Sequence, residues 1–115
     1  KALLKALEDV QAMIGHMVGV AMASQEDPKE IYKVGLNTSR LLMATGDLII
    51  AWLLLRQADI AQNKLANAGR DTEFYNGKIA SAKFFVRSVL PHISIERAVV
   101  ESETGEIMNI AEAAF

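Results

Sequence analysis

The sequence predicts an all-α domain: an up-down-up bundle of three long antiparallel helices with a short helical turn at the C-terminus, four-helix-bundle-like in kind. Three observations predict it. Apolar residues recur at spacings of three and four through most of the chain. The filling is Ala, Leu, Ile, Val and Met, with 6% aromatic residues, a mixture that suits helix-on-helix packing. Two prolines, Pro28 and Pro91, and a few scattered glycines punctuate the rhythm.

The first segment places Leu3, Leu7, Val10, Ile14, Met17 and Ala21 on one helical seam, widened by Leu4, Met13 and Val20. Lys1, Lys5, Glu8, Asp9 and Gln11 are expected on the remaining surface. The pattern ends at Ser24–Asp27. It is already in helical rhythm at KALLKALEDV, without Met or a capping residue, which leads us to expect a portion of a longer polypeptide.

The second helix is announced by Asp27 as N-cap, Pro28 at the first helical position and Glu30, three residues after the cap, able to reach back. Its apolar residues run from Ile31 and Val34 through Leu41, Leu48 and Leu55 towards Leu65, and Gly69 is a natural stop. Unbroken, this is about 41 residues and about 60 Å, so Gly35 and the Thr45-Gly46-Asp47 step are candidate kinks or breaks. Between Leu48 and Leu55 the helix is apolar all round, as the central helix of a bundle is. Asp47 then requires a partner, with Arg40, Arg56 or a backbone group at hand. The apolar stretch Leu41–Leu55, interrupted by Thr45, Gly46 and Asp47, would span about 22 Å, short of the roughly 30 Å of a bilayer core, and a buried soluble helix is the expectation.

Asp71 is placed to cap the third helix. Tyr75, Ile79, Ala82, Val86, Val89 and Ile93 form its inner seam, with Phe85 alongside. Pro91 removes an amide, and because the rhythm resumes at Ile93 a bend is expected there. Gly105 ends the pattern, and EIMNIAEAAF is expected to add one short turn.

Composition narrows function. At 115 residues the chain is one domain by size. A net charge of −2 with acids and bases interspersed argues against a nucleic-acid partner, which wants a basic face. The lack of cysteine removes thiolate nucleophiles and Cys-based zinc sites and fits a cytoplasmic protein. His16 and His92 have no Glu-x-x-His or His-x-x-x-His spacing, so no metal site is expected. Asn76-Gly-Lys78 lacks the first glycine and the Ser/Thr of a phosphate loop. Glu101, Glu103, Glu106 and Glu112 read as a solvated tail rather than a paired-carboxylate site. The residues themselves indicate no catalytic, cofactor or metal site.

One ordered combination goes further: Trp52-Leu-Leu-Leu-Arg-Gln-Ala58, then Phe74-Tyr75-Asn-Gly-Lys78, then Ala82-Lys-Phe84-Phe85, then Leu90-Pro91, with Ala114-Phe115 at the end. It resembles the C-terminal helical domain of long-type acyl-CoA dehydrogenases, the group that includes enzymes acting on methylthiopropionyl-CoA and related fatty acyl-CoA thioesters. The resemblance covers nearly the whole chain. It implies a parent flavoenzyme in which FAD takes a hydride from the acyl β-carbon while a glutamate base removes the α-proton. That base lies near a Tyr-Glu-Gly-Thr-like motif in the family, and no such motif stands here. The resemblance therefore implies that flavin site and base both precede Lys1, and that this segment is an accessory bundle packed on the catalytic body or at a subunit interface.

On this reading Asp47, Trp52, Arg56, Phe74, Tyr75, Lys78, Phe84, Phe85 and Pro91 are structural or interface candidates. Trp52, Tyr75, Phe84, Phe85 and Pro91 are most simply core and shape determinants. Lys78 and Arg56 are expected to pair with Asp47 or a neighbouring acid, with a CoA phosphate contact the less favoured reading. The implied partners are the upstream domains and a second subunit. Two other functions stay open: a free-standing dimerisation or scaffold bundle, motivated by the apolar spine, and a bundle that binds acyl chains between its helices.

Overall fold

The structure, a computed structural model, describes all 115 residues. It is all-helical. α1 covers Ala2–Ala23, α2 Ile31–Lys64, α3 Thr72–Ser88 and α4 His92–Ser102; 3₁₀ turns lie between α1 and α2 and between α2 and α3, and a turn at Val89–Pro91 joins α3 to α4. Two further 3₁₀ turns, Glu106–Asn109 and Glu112–Ala114, make up the C-terminal tail.

α1 forms where the apolar spacing requires it, but its buried face is turned from the expected seam. Ala6, Asp9, Val10, Met13 and Met17 are buried, whereas Leu7 and Ile14 are exposed. The helix packs against both α2 and α4, so the covered arc is centred between its two neighbours. Asp9, expected on the surface, lies inside that arc.

α2 starts as its caps dictate. The Asp27 carboxylate accepts the Lys29 amide at 3.2 Å, with Pro28 next in the chain. Glu30 does not reach back; it pairs with Lys33 Nζ at 3.0 Å. The helix then runs 34 residues without a break, so neither Gly35 nor Thr45-Gly46-Asp47 interrupts it. The polar side chains are accommodated inside the helix: the hydroxyls of Thr38 and Thr45 each donate 2.8 Å bonds to the carbonyls one turn back, Val34 and Leu41. An isolated glycine costs only about 1 kcal/mol. The chain turns at Gly69, whose φ of +54° is a conformation that favours glycine.

Asp71 precedes α3 as expected, although its side chain makes no capping bond; Thr72 Oγ1 donates to the Gly69 carbonyl at 2.7 Å instead. At Pro91 the chain does not bend within one helix. α3 ends at Ser88, the Leu90 amide donates to the Phe85 carbonyl at 2.9 Å, and α4 begins after the proline. A proline has no amide to continue the ladder but is well suited to open a helix. Gly105, at φ +75°, closes the region after α4.

The core is formed by Ala6, Val10, Met13 and Met17 of α1, Ala44 and Ala51 of α2, Leu90, and Ile93 and Val100 of α4. Leu3, Val34, Leu41, Leu48, Phe85 and Val86 pack around it. α1 and α4 thus cover one half of α2, while Gln57, Ile60 and Ala61 in the other half meet Phe74, Tyr75 and Lys78 of α3.

The result is a slab of 68 × 30 × 15 Å, little thicker than one helix with its side chains. Its radius of gyration is 19.7 Å, against about 13 Å for a compact domain of this length. Its accessible surface is 8021 Å², against about 6200 Å² for a folded monomer of this mass. α2 is therefore not enclosed on all sides within the chain. By length and composition alone it could cross a membrane, yet only 11% of its most apolar window is buried here, while α1, α3 and α4 all pack on it.

Candidate functional site

One polar cluster was not foreseen from the sequence. Asp9, 1% exposed, sits on the face of α1 that meets α4. Its Oδ1 accepts from Lys5 Nζ at 2.8 Å and from Arg97 Nη1 at 2.9 Å, and its Oδ2 accepts from the Ser94 hydroxyl. Burial pushes the Asp9 carboxyl up, but the bonds from Lys5, Ser94 and Arg97 outweigh it and bring its pKa from 3.8 down to about 2. Arg97 also donates from Nε to Glu101 at 2.9 Å. Its pKa is raised, chiefly by Glu101 and next by Asp9. The cluster joins two helices 85 residues apart through a saturated carboxylate. It is a clasp: both carboxylate oxygens are taken by donors from α1 and α4. The signal in the sequence was the four-residue spacing of Lys5 and Asp9, which reads equally well as a surface pair.

The expected partners of Asp47 are engaged elsewhere. Arg40 Nη1 binds Glu96 Oε2 at 2.7 Å, and the Arg56 guanidinium lies 5.1 Å from the Trp52 ring centroid. Asp47 is half-buried and makes no ion pair. It lines an open hollow of about 280 Å³ with Ser39, Arg40, Met43, His92 and Glu96. The hollow gives the carboxylate water, so a chain-internal countercharge is not required.

The aromatic candidates divide. Tyr75 and Phe85 are half-buried. Trp52 is 47% exposed and Phe84 65%, with Phe74 and Pro91 also outside, so Trp52, Phe84 and Pro91 are not core residues of this chain. Phe74 meets Tyr75 edge-on at 5.6 Å, and Lys78 Nζ lies 5.4 Å from the Phe74 ring rather than on an acid. The structure brings Phe74, Tyr75 and Lys78 together at one end and leaves Trp52–Arg56 near the middle of α2.

The hollow beside Trp52 is lined by apolar residues alone. Leu3 and Leu7 of α1 and Leu48, Ile49 and Trp52 of α2 line this open hollow of about 220 Å³. His16 is half-buried and His92 exposed, and no three His, Asp or Glu side chains converge as metal ligands do. The arrangement can present an apolar face to other structure.

Comparison with known proteins shows the family. Residues 1–111 match the family described as acetyl-CoA dehydrogenase C-terminal like. The chain is 47% identical, over 98% of its length, to the broad-specificity linear acyl-CoA dehydrogenase FadE5 of Mycobacterium tuberculosis, of which it covers 19%. It is 38% identical over 71% of its length to a butyryl-CoA dehydrogenase of Syntrophomonas wolfei, covering 14% of that protein. It is also 34% identical over 83% of its length to 3-methylmercaptopropionyl-CoA dehydrogenase of Ruegeria pomeroyi, covering 15%. The chain thus spans less than a fifth of each of these relatives.

Proposed function

The chain belongs to the acetyl-CoA dehydrogenase C-terminal-like family, and we propose that it serves as the accessory, docking domain of an FAD-dependent acyl-CoA dehydrogenase. Two observations support this reading, and the first carries it. The family match runs over residues 1–111, and the relatives, named as acyl-CoA dehydrogenases, are five or more times longer. The second is the excess of apolar surface, which an upstream catalytic body would cover.

When bound in the upstream domains, FAD would accept the hydride from the acyl β-carbon as a glutamate base removes the α-proton, giving the 2-enoyl-CoA. The residues of this chain have a different task. Leu3, Leu7, Leu48, Ile49 and Trp52 supply apolar area to a neighbouring domain, worth roughly 25 cal/mol per Å² once covered. The Asp9 clasp holds α1 against α4 so that this surface is presented as one rigid face. With a neighbour in place, the up-down-up course of α1, α2 and α3–α4 is completed in four-helix-bundle-like fashion.

The test uses the full-length polypeptide. Purified aerobically, it carries bound flavin, and a linear acyl-CoA added without oxygen bleaches the flavin absorbance. Absence of flavin, or a flavin indifferent to a series of acyl-CoAs, would remove the dehydrogenase reading.

A further inference from the structure

Between Lys33 and Arg56, α2 carries two charged residues, Arg40 and Asp47. Arg40 is engaged with Glu96 at 2.7 Å, and Arg56 lies over the Trp52 ring. Asp47 is left without a cation from this chain. It lines the hollow of about 280 Å³ between α2 and α4, whose apolar wall is Met43, Ala44 and Ile93. The Arg40–Glu96 pair on the same wall cancels, so the acid leaves the hollow one uncompensated negative charge.

The acid does not sit on a polar flank. At about 100° per residue, Trp52, Ile49, Leu42, Leu53, Ile50 and Met43 follow one another round the outward side of α2 through about 180°, and all six are exposed. This arc begins at the apolar hollow beside Trp52 and ends at Met43, next to Asp47. A body that covers the arc also closes the mouth of the Asp47 hollow and takes most of its water. A carboxylate cut off from water is costly unless it is paired. A few retained waters would solvate it but would leave its charge uncompensated.

We infer that the upstream body of the same polypeptide inserts one cationic side chain, a lysine or an arginine, into this hollow to pair with Asp47. The inference rests on the docking role proposed above and names the contact that fixes its register. Met43, Ala44 and Ile93 receive the methylene stem, as long cationic side chains bury their stems on apolar surface while the charged head reaches a polar partner. An acid bordered by apolar contacts selects one placement of the neighbour, because a shifted one leaves the carboxylate bare. The source of the cation follows from position. The arc is continuous with the Trp52 hollow assigned to the upstream body, and the relatives carry more than four-fifths of their length outside the region matched by this chain.

Two measurements on the full-length polypeptide test it. Carbodiimide with a small amine converts accessible carboxylates to amides, and peptide mapping reads each site. Asp47 is expected to react at least tenfold more slowly than Glu8, which is exposed on α1. Asp47→Asn keeps the shape, removes the charge and breaks no ion pair within this chain. It is expected to speed proteolysis between the upstream domains and Lys1 at least fivefold at low salt. It should also abolish most of the acceleration that salt causes in the wild type by screening the pair. Glu8→Gln, the same charge change away from the hollow, is expected to alter the rate less than twofold. An Asp47 as reactive as Glu8 overturns the proposal, and so does a protected Asp47 whose replacement leaves cleavage unchanged. Protection that disappears on dilution places the cation on another chain and overturns it too. The docking role is read separately by Trp52→Ala, which still speeds cleavage if the cation alone is wrong and does not if docking itself is wrong.

Discussion

Asp9 of α1 and Arg97 of α4 are joined by a 2.9 Å ion pair, the one on which the relative placement of those helices turns. The carboxylate is buried while the guanidinium is partly exposed. Removing the acid forfeits the bonds from Lys5, Ser94 and Arg97 together; removing Arg97 leaves the carboxylate two of those donors. Asp9→Ala is expected to destabilise the protein by about 2–3 kcal/mol, through lost charged hydrogen bonds and a small cavity. Arg97→Ala, which leaves Lys5 and Ser94 on the carboxylate, should cost less. Urea unfolding of both variants checks the order, and the reverse order would show that the clasp is held by the guanidinium's own packing.

The same clasp sets an acid limit. Because the folded pKa of Asp9 is depressed, from 3.8 to about 2, its contribution is complete above the unfolded value and is lost as pH falls from 3.8 towards 2. The difference is worth roughly 2 kcal/mol. The wild type should lose that much more stability than Asp9→Asn between pH 5 and pH 2. Parallel stability curves for the two proteins over that range would contradict the assignment.

Asn37 makes a different prediction. It is buried in α2, its amide donates to the Lys33 carbonyl at 3.1 Å, and its Oδ1 has no partner. Asn37→Leu relieves an unsatisfied acceptor while adding apolar area, so it should be neutral or stabilising by about 1 kcal/mol. Thermal melting of the variant measures this. A loss of more than about 2 kcal/mol would mean that Oδ1 is engaged by a bound water or a neighbouring domain.

Trp52 tests the docking surface. Half-exposed under Arg56, Trp52→Ala removes little from the packing within this chain and much from any contact with an upstream domain. Its cost in the full-length polypeptide is expected to be about 3 kcal/mol, read as faster proteolysis between the upstream domains and Lys1. Unchanged cleavage would place the contact elsewhere.

How far the fold was legible depended on what kind of signal each feature left. The N-cap at Asp27, the turn at Gly69 and the stop near Gly105 follow from local chemistry, and the structure has them where the sequence placed them. The break at Pro91 was read as a bend because periodicity resumes beyond it; the apolar rhythm of α4 is in phase with that of α3, so the rhythm alone cannot reveal the interruption. Asp9 was missed because its burial depends on α4 lying against α1, a long-range fact that no four-residue spacing contains. Trp52 and Phe84 were read as core and shape determinants because aromatics at helical spacing usually bury area, yet a slab only 15 Å thick leaves them 47% and 65% exposed. The family, by contrast, was legible in an ordered set of motifs, and the comparisons agree with it.

In the role proposed here the domain docks and leaves the flavin to the upstream domains. Photolabelling the full-length polypeptide with an azido derivative of FAD, followed by peptide mapping, tests it most directly. Labelling is expected to saturate, with every labelled peptide preceding Lys1. Label within Ala2–Phe115, or a polypeptide that takes up no label at all, would contradict it.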